Sequence, residues 1–267
     1  EDYTPAYLDE GNVLALLERY EEAIAKYKQT IMGPLWHFVQ PLLSTMISVL
    51  LFNVVAKIST NGYNPVLFQM AGIIIWNYFS TCLVACSSVF TTNASIFGKV
   101  YFPRLIMPLS IILSTIIQLL IQFVLLLLVM GYYSFKGYPV TLSMYWLLIP
   151  VYILLMAGIG LGAGIIISSL TTKYRDLAIL LTFGVQLLMY ASAVNYPLSV
   201  LQNNNTQLYH ILKWNPLAAI VDGFRNILLG GQVQLHALLY PFLFMVLVLL
   251  GGTVFFNKVE RSFMDTV

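Results

Sequence analysis

Charge is what this sequence has least of. Only 9% of its 267 residues are Asp, Glu, Lys or Arg, against about 25% in ordinary soluble domains, which argues against a soluble enzyme. Its 13 basic residues nearly balance 11 acidic ones, and a net charge of +2 supplies no field for gathering nucleic acid. Seven of the acids fall at or before Glu22, and between Glu22 and Glu260 only Asp176 and Asp222 remain. A bilayer imposes that distribution, because an ionised side chain at mid-membrane costs several kcal/mol. Cysteine is nearly absent: Cys82 and Cys86 lie four residues apart on one helical face and build no disulfide framework. The three histidines, His37, His210 and His236, are scattered without HExxH or zinc spacing, so no metal site is expected. There is no GxxxxGK[ST] loop and no GxSxG elbow, which leaves no motif for nucleotide hydrolysis or a serine nucleophile. The acidic start is unlike a secretory signal peptide, so the first membrane segment is expected to act as its own insertion signal.

What the chain does have is apolar length: 59% of it is hydrophobic and its mean hydropathy is +0.83. A spanning helix needs roughly 20 mostly apolar residues, and uncharged stretches supply six. They are expected at about 34 to 56, 65 to 90 (after the turn NGYNP), Arg104 to Lys136, 143 to 168, Asp176 to near Asn195, and 236 to 257. In the fourth, GIGLGAG at 158 to 164 places small residues where helices can approach closely. With six spans the termini share a side, whose tail and loops hold Arg19, Lys26, Lys28, Lys99, Arg104, Lys173, Arg175, Lys258 and Arg261. The opposite side holds only Lys57, Lys136, Lys213 and Arg225. The positive-inside rule makes both termini cytoplasmic.

Three segments depart from plain spans. Residues 11 to 30 place Val13, Leu16, Leu17, Tyr20, Ile24 and Tyr27 on one helical face and charges on the other, an amphipathic helix that either lies on the membrane or walls a docking cleft. Between spans two and three, Asn93 can cap a short helix whose Ile96, Phe97, Val100, Tyr101 and Phe102 form a bulky apolar face; such a face marks a protein contact or an interfacial anchor. Between spans five and six, WNPLAAIVDGFRNILLGG reads as a helix capped by Asn215, entered at Pro216 and stopped at Gly230 and Gly231. At about 14 residues it reaches roughly 21 Å, too short to cross. A second short helix is expected from Pro197, with the polar QNNNTQ at 202 to 207 between them.

The pieces YKQTIMGPLWHFVQPL (27 to 42), NASIFGKVYFPRLIMPLS (93 to 110), KYRDL (173 to 177) and WNPLAAIVDGFR (214 to 225) resemble the membrane subunits of ATP-binding-cassette polysaccharide exporters. Those permeases move lipid-linked O-antigen, capsular polysaccharide or teichoic acid. The resemblance runs in order from about residue 20 to 260. It implies an all-α integral membrane protein of six transmembrane helices, with residues 1–30 as a cytoplasmic tail and amphipathic interface helix and 31–267 as the permease domain. The permease is expected in the bacterial inner membrane as a homodimer enclosing a channel. Two copies of a separate ATPase would bind ATP and magnesium, so that this chain needs no cofactor of its own. Residues 93–101 would be the coupling helix, through Ile96, Phe97, Lys99, Val100 and Tyr101, and the two short helices at 197–230 a periplasmic re-entrant gate.

On this view Arg19, Lys99 and Arg104 are candidates to meet the lipid pyrophosphate, or else serve as topology determinants and headgroup contacts. Trp36, Phe38, Phe183, Tyr190 and Tyr196 are candidates for the sugar pathway, since aromatic rings pack on sugar C–H faces; aromatic belts would give the same set. Asp222 and Arg225, three apart on the outer helix, are expected to pair on one face, as a gate clamp or a surface pair. The rival readings are an ATPase-independent channel or secondary transporter, which lacks the mid-span carboxylate ion coupling usually needs, and a membrane enzyme of lipid-sugar metabolism. The latter would have only Asp176 and Asp222, on opposite sides, for acid–base work.

Overall fold

The computed structural model describes residues 35–92, 106–138, 143–171, 174, 176–204, 206–232 and 234–264, and every regular element among them is helical. The chain divides into two compact units, residues 1–40 and 41–267; the described part of the first is the start of one helix, and the packing below concerns the second. In chain order the helices are α1 (Trp36–Ser48), which continues as a π-helical stretch Val49–Val55, α2 (Pro65–Ser87), α3 (Ile106–Phe135), α4 (Ile149–Thr171), α5 (Leu177–Ala191), α6 (Leu198–Asn204), α7 (Thr206–Lys213), α8 (Pro216–Leu229) and α9 (Leu239–Met264). Single turns at Val89–Thr92, Met144–Leu148 and Leu235–Leu238 follow or precede them.

Five stretches, Trp36–Val55, Pro65–Ser87, Ile106–Phe135, Met144–Thr171 and Leu235–Lys258, are long and apolar enough to cross a membrane. They match the expected spans one to four and six. The expected fifth is shorter: α5 has 15 residues, about 22 Å at 1.5 Å per residue, less than the roughly 20 residues a span needs. Its helix stops at Ser192 because Ala193 adopts a left-handed conformation, φ 52°, although no glycine or proline marks the place.

α2 is apolar around its whole circumference, as a helix surrounded by protein must be; Met70, Ala71, Ile74, Ile75, Cys82 and Cys86 are completely buried. Its start is set by Asn64, whose Oδ1 accepts from the backbone N–H of Val66 (3.0 Å) and Leu67 (3.4 Å), with Pro65 at the first helical position. α4 packs on α2 and on α9, and its glycines divide between them. A Cβ at Gly160 or Gly164 would stand 3.1 Å from Cys82 Cβ or 2.5 Å from Cys86 Cβ, whereas one at Gly162 would meet the Val248 carbonyl carbon of α9 at 2.8 Å. Close helix approach through GIGLGAG is thus used twice, on two faces, and the two cysteines are the small residues opposite one of them. α3 lies along α2, with Cys82 Sγ 3.3 Å from Thr115 Oγ1. The outward faces of α3 and α9 carry exposed Leu113, Ile117, Leu128, Leu247 and Val254, the apolar surface that lipid requires.

Loops expected on one side of the membrane meet at one end of this unit. Ser199 donates to Asn61 Oδ1 (2.9 Å), and Asn215 Nδ2 to Ala191 O (2.9 Å). There the stretch 197 to 230 holds three helices, α6, α7 and α8, not two. The polar run expected to separate two helices lies largely within α6 and α7. Gln202 and Gln207 are exposed, and polarity on a helix face that meets solvent is compatible with helix, so it marked exposure and not a break. α8 is capped as expected: Asn215 Oδ1 accepts from Leu217 N (3.0 Å), and Gly230 ends it at φ 77°. α7 leaves Leu208 and Ile211 exposed, followed by Trp214.

Candidate functional site

The most heavily bonded place in the described unit is the unwound chain after α5. Leaving the helix at Ser192 frees backbone carbonyls that lie buried with Ser192, Ala193, Val194 and Asn195, and buried carbonyls must find donors. Distant side chains provide them. Arg225 of α8, only 1% exposed, donates Nη1 to Ala193 O (3.0 Å), Nη2 to Val194 O at very short range, and Nε to Phe68 O of α2 (3.1 Å). Its guanidinium also lies 3.9 Å from the centre of the Phe68 ring, a cation–π contact. Gly72 makes the room, since a Cβ there would collide with the guanidinium and stand 2.8 Å from Val194 O. Gln69, one turn from Gly72 on α2, donates Nε2 to Asn195 O (2.9 Å) and to Asn53 Oδ1 of the π-helical stretch (3.1 Å). Asn215, besides capping α8, donates Nδ2 to Ala191 O and to Ser192 Oγ (3.2 Å). α8, α2 and the end of α1 therefore converge on one short piece of backbone.

This arrangement differs from the expected Asp222–Arg225 pair. The hydrogen-bond partners of Arg225 are backbone carbonyls, and Asp222 accepts instead from Asn226 Nδ2 at 3.3 Å. The physical reason is availability. Three spaced carbonyl oxygens suit a planar guanidinium with diverging donors, while a turn of helix beside them offers Asp222 its own amide partner. Burial raises the Asp222 carboxyl above its ordinary range, opposed by Arg225 and by the Asn226 bond, and burial lowers Arg225 to about 9, opposed by Asp222. With its donors directed at backbone carbonyls, Arg225 joins α8 to α2 and to the chain after α5.

The other expected positions separate into groups. Trp36 is exposed and Phe38 half-buried at the start of α1. Phe183 and Tyr190 lie two turns apart on α5 and both are exposed, Phe183 at 64%. Tyr190 stands beside Phe52 (ring centres 6.4 Å apart) and its carbonyl accepts from the Tyr196 hydroxyl at 2.7 Å, so Tyr190 and Tyr196 are brought together. Arg19, Ile96, Phe97, Lys99, Val100, Tyr101 and Arg104, with the amphipathic segment 11 to 30, lie outside the described residues. At the opposite end of α3, Tyr132, Tyr133 and Tyr138 form an edge-to-face chain with centres 5.4 and 5.7 Å apart. Sequence reasoning missed Gln69, Asn53 and Gly72. An amide within the apolar run of α2 was the available signal, since polar groups inside spans are costly and find partners. Among the described residues no group of three His, Cys, Asp or Glu side chains is placed to hold a metal ion.

Comparison with known proteins gives this architecture its family. The family model for ABC-2 type transporters matches residues 14–229. The chain is 25% identical over 241 residues to the O-antigen export system permease protein RfbA of Klebsiella pneumoniae, covering 90% of this chain and 89% of that one. It is 27% identical over 222 residues to RfbA of Myxococcus xanthus, covering 83% and 81%. To the capsule polysaccharide export inner-membrane protein CtrC of Neisseria meningitidis serogroup A it is 28% identical over 254 residues, covering 90% and 88%. With the family model spanning well over half of its length, this multi-pass helical protein belongs to the ABC-2 type transporters, as a non-catalytic membrane subunit.

Proposed function

We propose that the chain is the permease of a polysaccharide export system, carrying a polyprenyl-pyrophosphate-linked glycan, O-antigen in the first instance, from cytoplasm to periplasm. The observation that carries this reading is the agreement of the relatives. Proteins named for O-antigen and for capsule export align with 83–90% of this chain, at similar identity. Two copies of the chain enclose the channel and two copies of a separate ATPase drive it from the cytoplasmic side, where both termini lie. The exposed apolar faces of the π-helical stretch after α1 and of α5, including Leu50, Val54, Leu180, Phe183 and Leu187, support a partner surface in the membrane; a second copy is the occupant we assign. All six apolar segments are free of carboxylates, which favours an ATPase motor over ion coupling.

Residues 93–101 transmit the ATPase stroke, with Phe97 and Tyr101 inserted in the ATPase, and Arg19, Lys99 and Arg104 receive the pyrophosphate. α6, α7 and α8 form the outer gate, and the carbonyl clamp on Arg225 ties that gate to α2 and to the end of α5. Trp36, Phe38, Phe183, Tyr190 and Tyr196 offer ring faces to the glycan on its way. The test is purification from native membrane in mild detergent together with deletion of the gene. An ATPase recovered in equal amount, and loss of surface glycan with lipid-linked glycan accumulating inside, is the expected result. Phe97→Asp is expected to release the ATPase while leaving the permease folded. A permease that purifies alone while surface glycan is unchanged in the deletion strain overturns the reading.

A further inference from the structure

A cavity of about 260 Å³ opens at the end of the unit where the loops meet, lined by Asn61, Gly62, Tyr63, Asn64 and Leu67 around the start of α2, by Tyr138 after α3, and by Leu228 and Leu229 at the end of α8. We infer that this cavity is a binding subsite for one neutral sugar ring of the exported glycan, on the outer side of the membrane. The inference rests on the export reading and adds to it a site and a ligand class.

The lining argues for a neutral polyol. It contains no charged side chain, so nothing in it selects a phosphate or a lipid headgroup. Asn61 Oδ1 is occupied by Ser199, and Asn64 Oδ1 by the backbone of α2. Each amide therefore retains its Nδ2 group, with two N–H donors, for a ligand's hydroxyl oxygens. Burial and the nearby Asp222 raise the Tyr63 phenol above its ordinary value of 10.0, so its O–H stays a donor throughout the physiological range. The remaining walls are apolar or aromatic. Leu229, half-buried and backed by the buried Leu67 and Leu228, offers an apolar surface to the C–H face of a pyranose, and the Tyr138 ring, held edge-on to Tyr133 at 5.7 Å, adds an aromatic surface of the kind that packs on such faces. At about 260 Å³ the space is smaller than the roughly 300–1,000 Å³ of sites for drug-sized ligands, which sizes it for a single ring and not a length of chain. An acyl chain would leave the amide donors of Asn61 and Asn64 unsatisfied, which disfavours lipid as the occupant.

The site also has a means of reporting occupancy. Asn61 is bonded to Ser199 of α6, and Leu228 and Leu229 belong to α8, so a ring held here meets the last of the short helices proposed as the gate directly and the first through Asn61.

The experiment uses the permease with its ATPase in lipid nanodiscs and saturation-transfer NMR with free mannose, galactose, rhamnose and N-acetylglucosamine. At least one sugar is expected to receive saturation with millimolar affinity. Tyr138→Phe keeps the ring and the signal, whereas Tyr138→Ala lowers affinity about two- to tenfold, the range of one aromatic contact. Asn61→Gly, chosen because Asn61 is in a left-handed conformation (φ 54°) that glycine accepts, removes an amide without straining the turn and is expected to weaken the same sugar. Absence of any sugar signal, a signal indifferent to both Tyr138→Ala and Asn61→Gly, or displacement of the sugar by a short-chain fatty alcohol overturns the proposal. Surface glycan measured in the deletion strain separates the two readings. Loss of export in the deletion strain without sugar binding defeats the subsite alone, and pocket-dependent sugar binding without any export defect defeats the export reading, and with it the assignment of the cavity to an exported glycan, leaving only a sugar-binding cavity.

Discussion

Replacing Arg225 by alanine tests whether the clamp on the end of α5 holds the structure together. The substitution removes three hydrogen bonds at once and leaves Ala193 O and Val194 O, which lie outside any helix, buried without donors, whereas Phe68 O lies within helix α2 and keeps its place in the helical ladder. Leaving a buried acceptor unsatisfied costs about 1–3 kcal/mol, so two would cost up to about 6 kcal/mol if nothing relaxed. Two effects reduce this. The desolvation penalty of a buried guanidinium, several kcal/mol, is removed with it, and water can enter the space beside Gly72. A net loss of about 2–4 kcal/mol remains, within the upper range of single substitutions. For a chain of this size that lowers Tm by roughly 5–12 °C. The assay is the thermal transition of the purified complex in nanodiscs, followed by size exclusion and by tryptophan fluorescence. Arg225→Lys should fall between, because an ammonium keeps charge and donors but lacks the planar fork that reaches spaced acceptors while stacking on Phe68. Asp222→Asn should cost less than either, since the hydrogen bond Asp222 accepts among the described residues comes from Asn226, within α8, and an amide oxygen can still accept it. If Arg225→Ala melts within about 1 °C of the parent, the carbonyls of Ala193 and Val194 are satisfied in some other way and the reasoning is wrong.

Other consequences follow from the packing and the caps. Gly164→Val places a branched side chain where even a Cβ stands 2.5 Å from Cys86 Cβ; overpacking of that kind costs about 1–3 kcal/mol or more, and reduced recovery of monodisperse protein checks it, with Cys86→Gly, which removes that Cβ, giving partial rescue. Asn215→Ala removes the α8 cap together with the bonds to Ala191 O and Ser192 Oγ. It should destabilise by about 1–2 kcal/mol, more than Asn215→Ser, which keeps a capping oxygen, and paired melting curves decide the order.

Much of this molecule was legible because its determinants are local. Five spanning helices appear where uncharged apolar stretches of sufficient length occur, and α8 begins at Asn215–Pro216 and ends at Gly230 as the residues there require. Gly160, Gly162 and Gly164 marked a close approach correctly, since only small residues permit it, but not that the approach is made to two helices on different faces. The helices at 197 to 230 were miscounted because exposed amides read as a linker. The aromatic residues were found but not sorted, as ring chemistry alone does not say which of them meet.

What chain chemistry determined alone, then, is membrane insertion, the spans and the caps, each governed by hydropathy or by bonds within a few residues. Tertiary structure decided the length of α5 and the role of Arg225. Asp222 was the nearest candidate partner in sequence, but Arg225 bonds to Phe68, Ala193 and Val194, which lie 157, 32 and 31 residues away. The carbonyls of Ala193, Val194 and Asn195 became acceptors only because the chain leaves its helix after Ala191, and that departure is tolerable only where Arg225 of α8 and Gln69 of α2 bring donors to meet them. Each half requires the other, and neither half is encoded by a pattern within one segment.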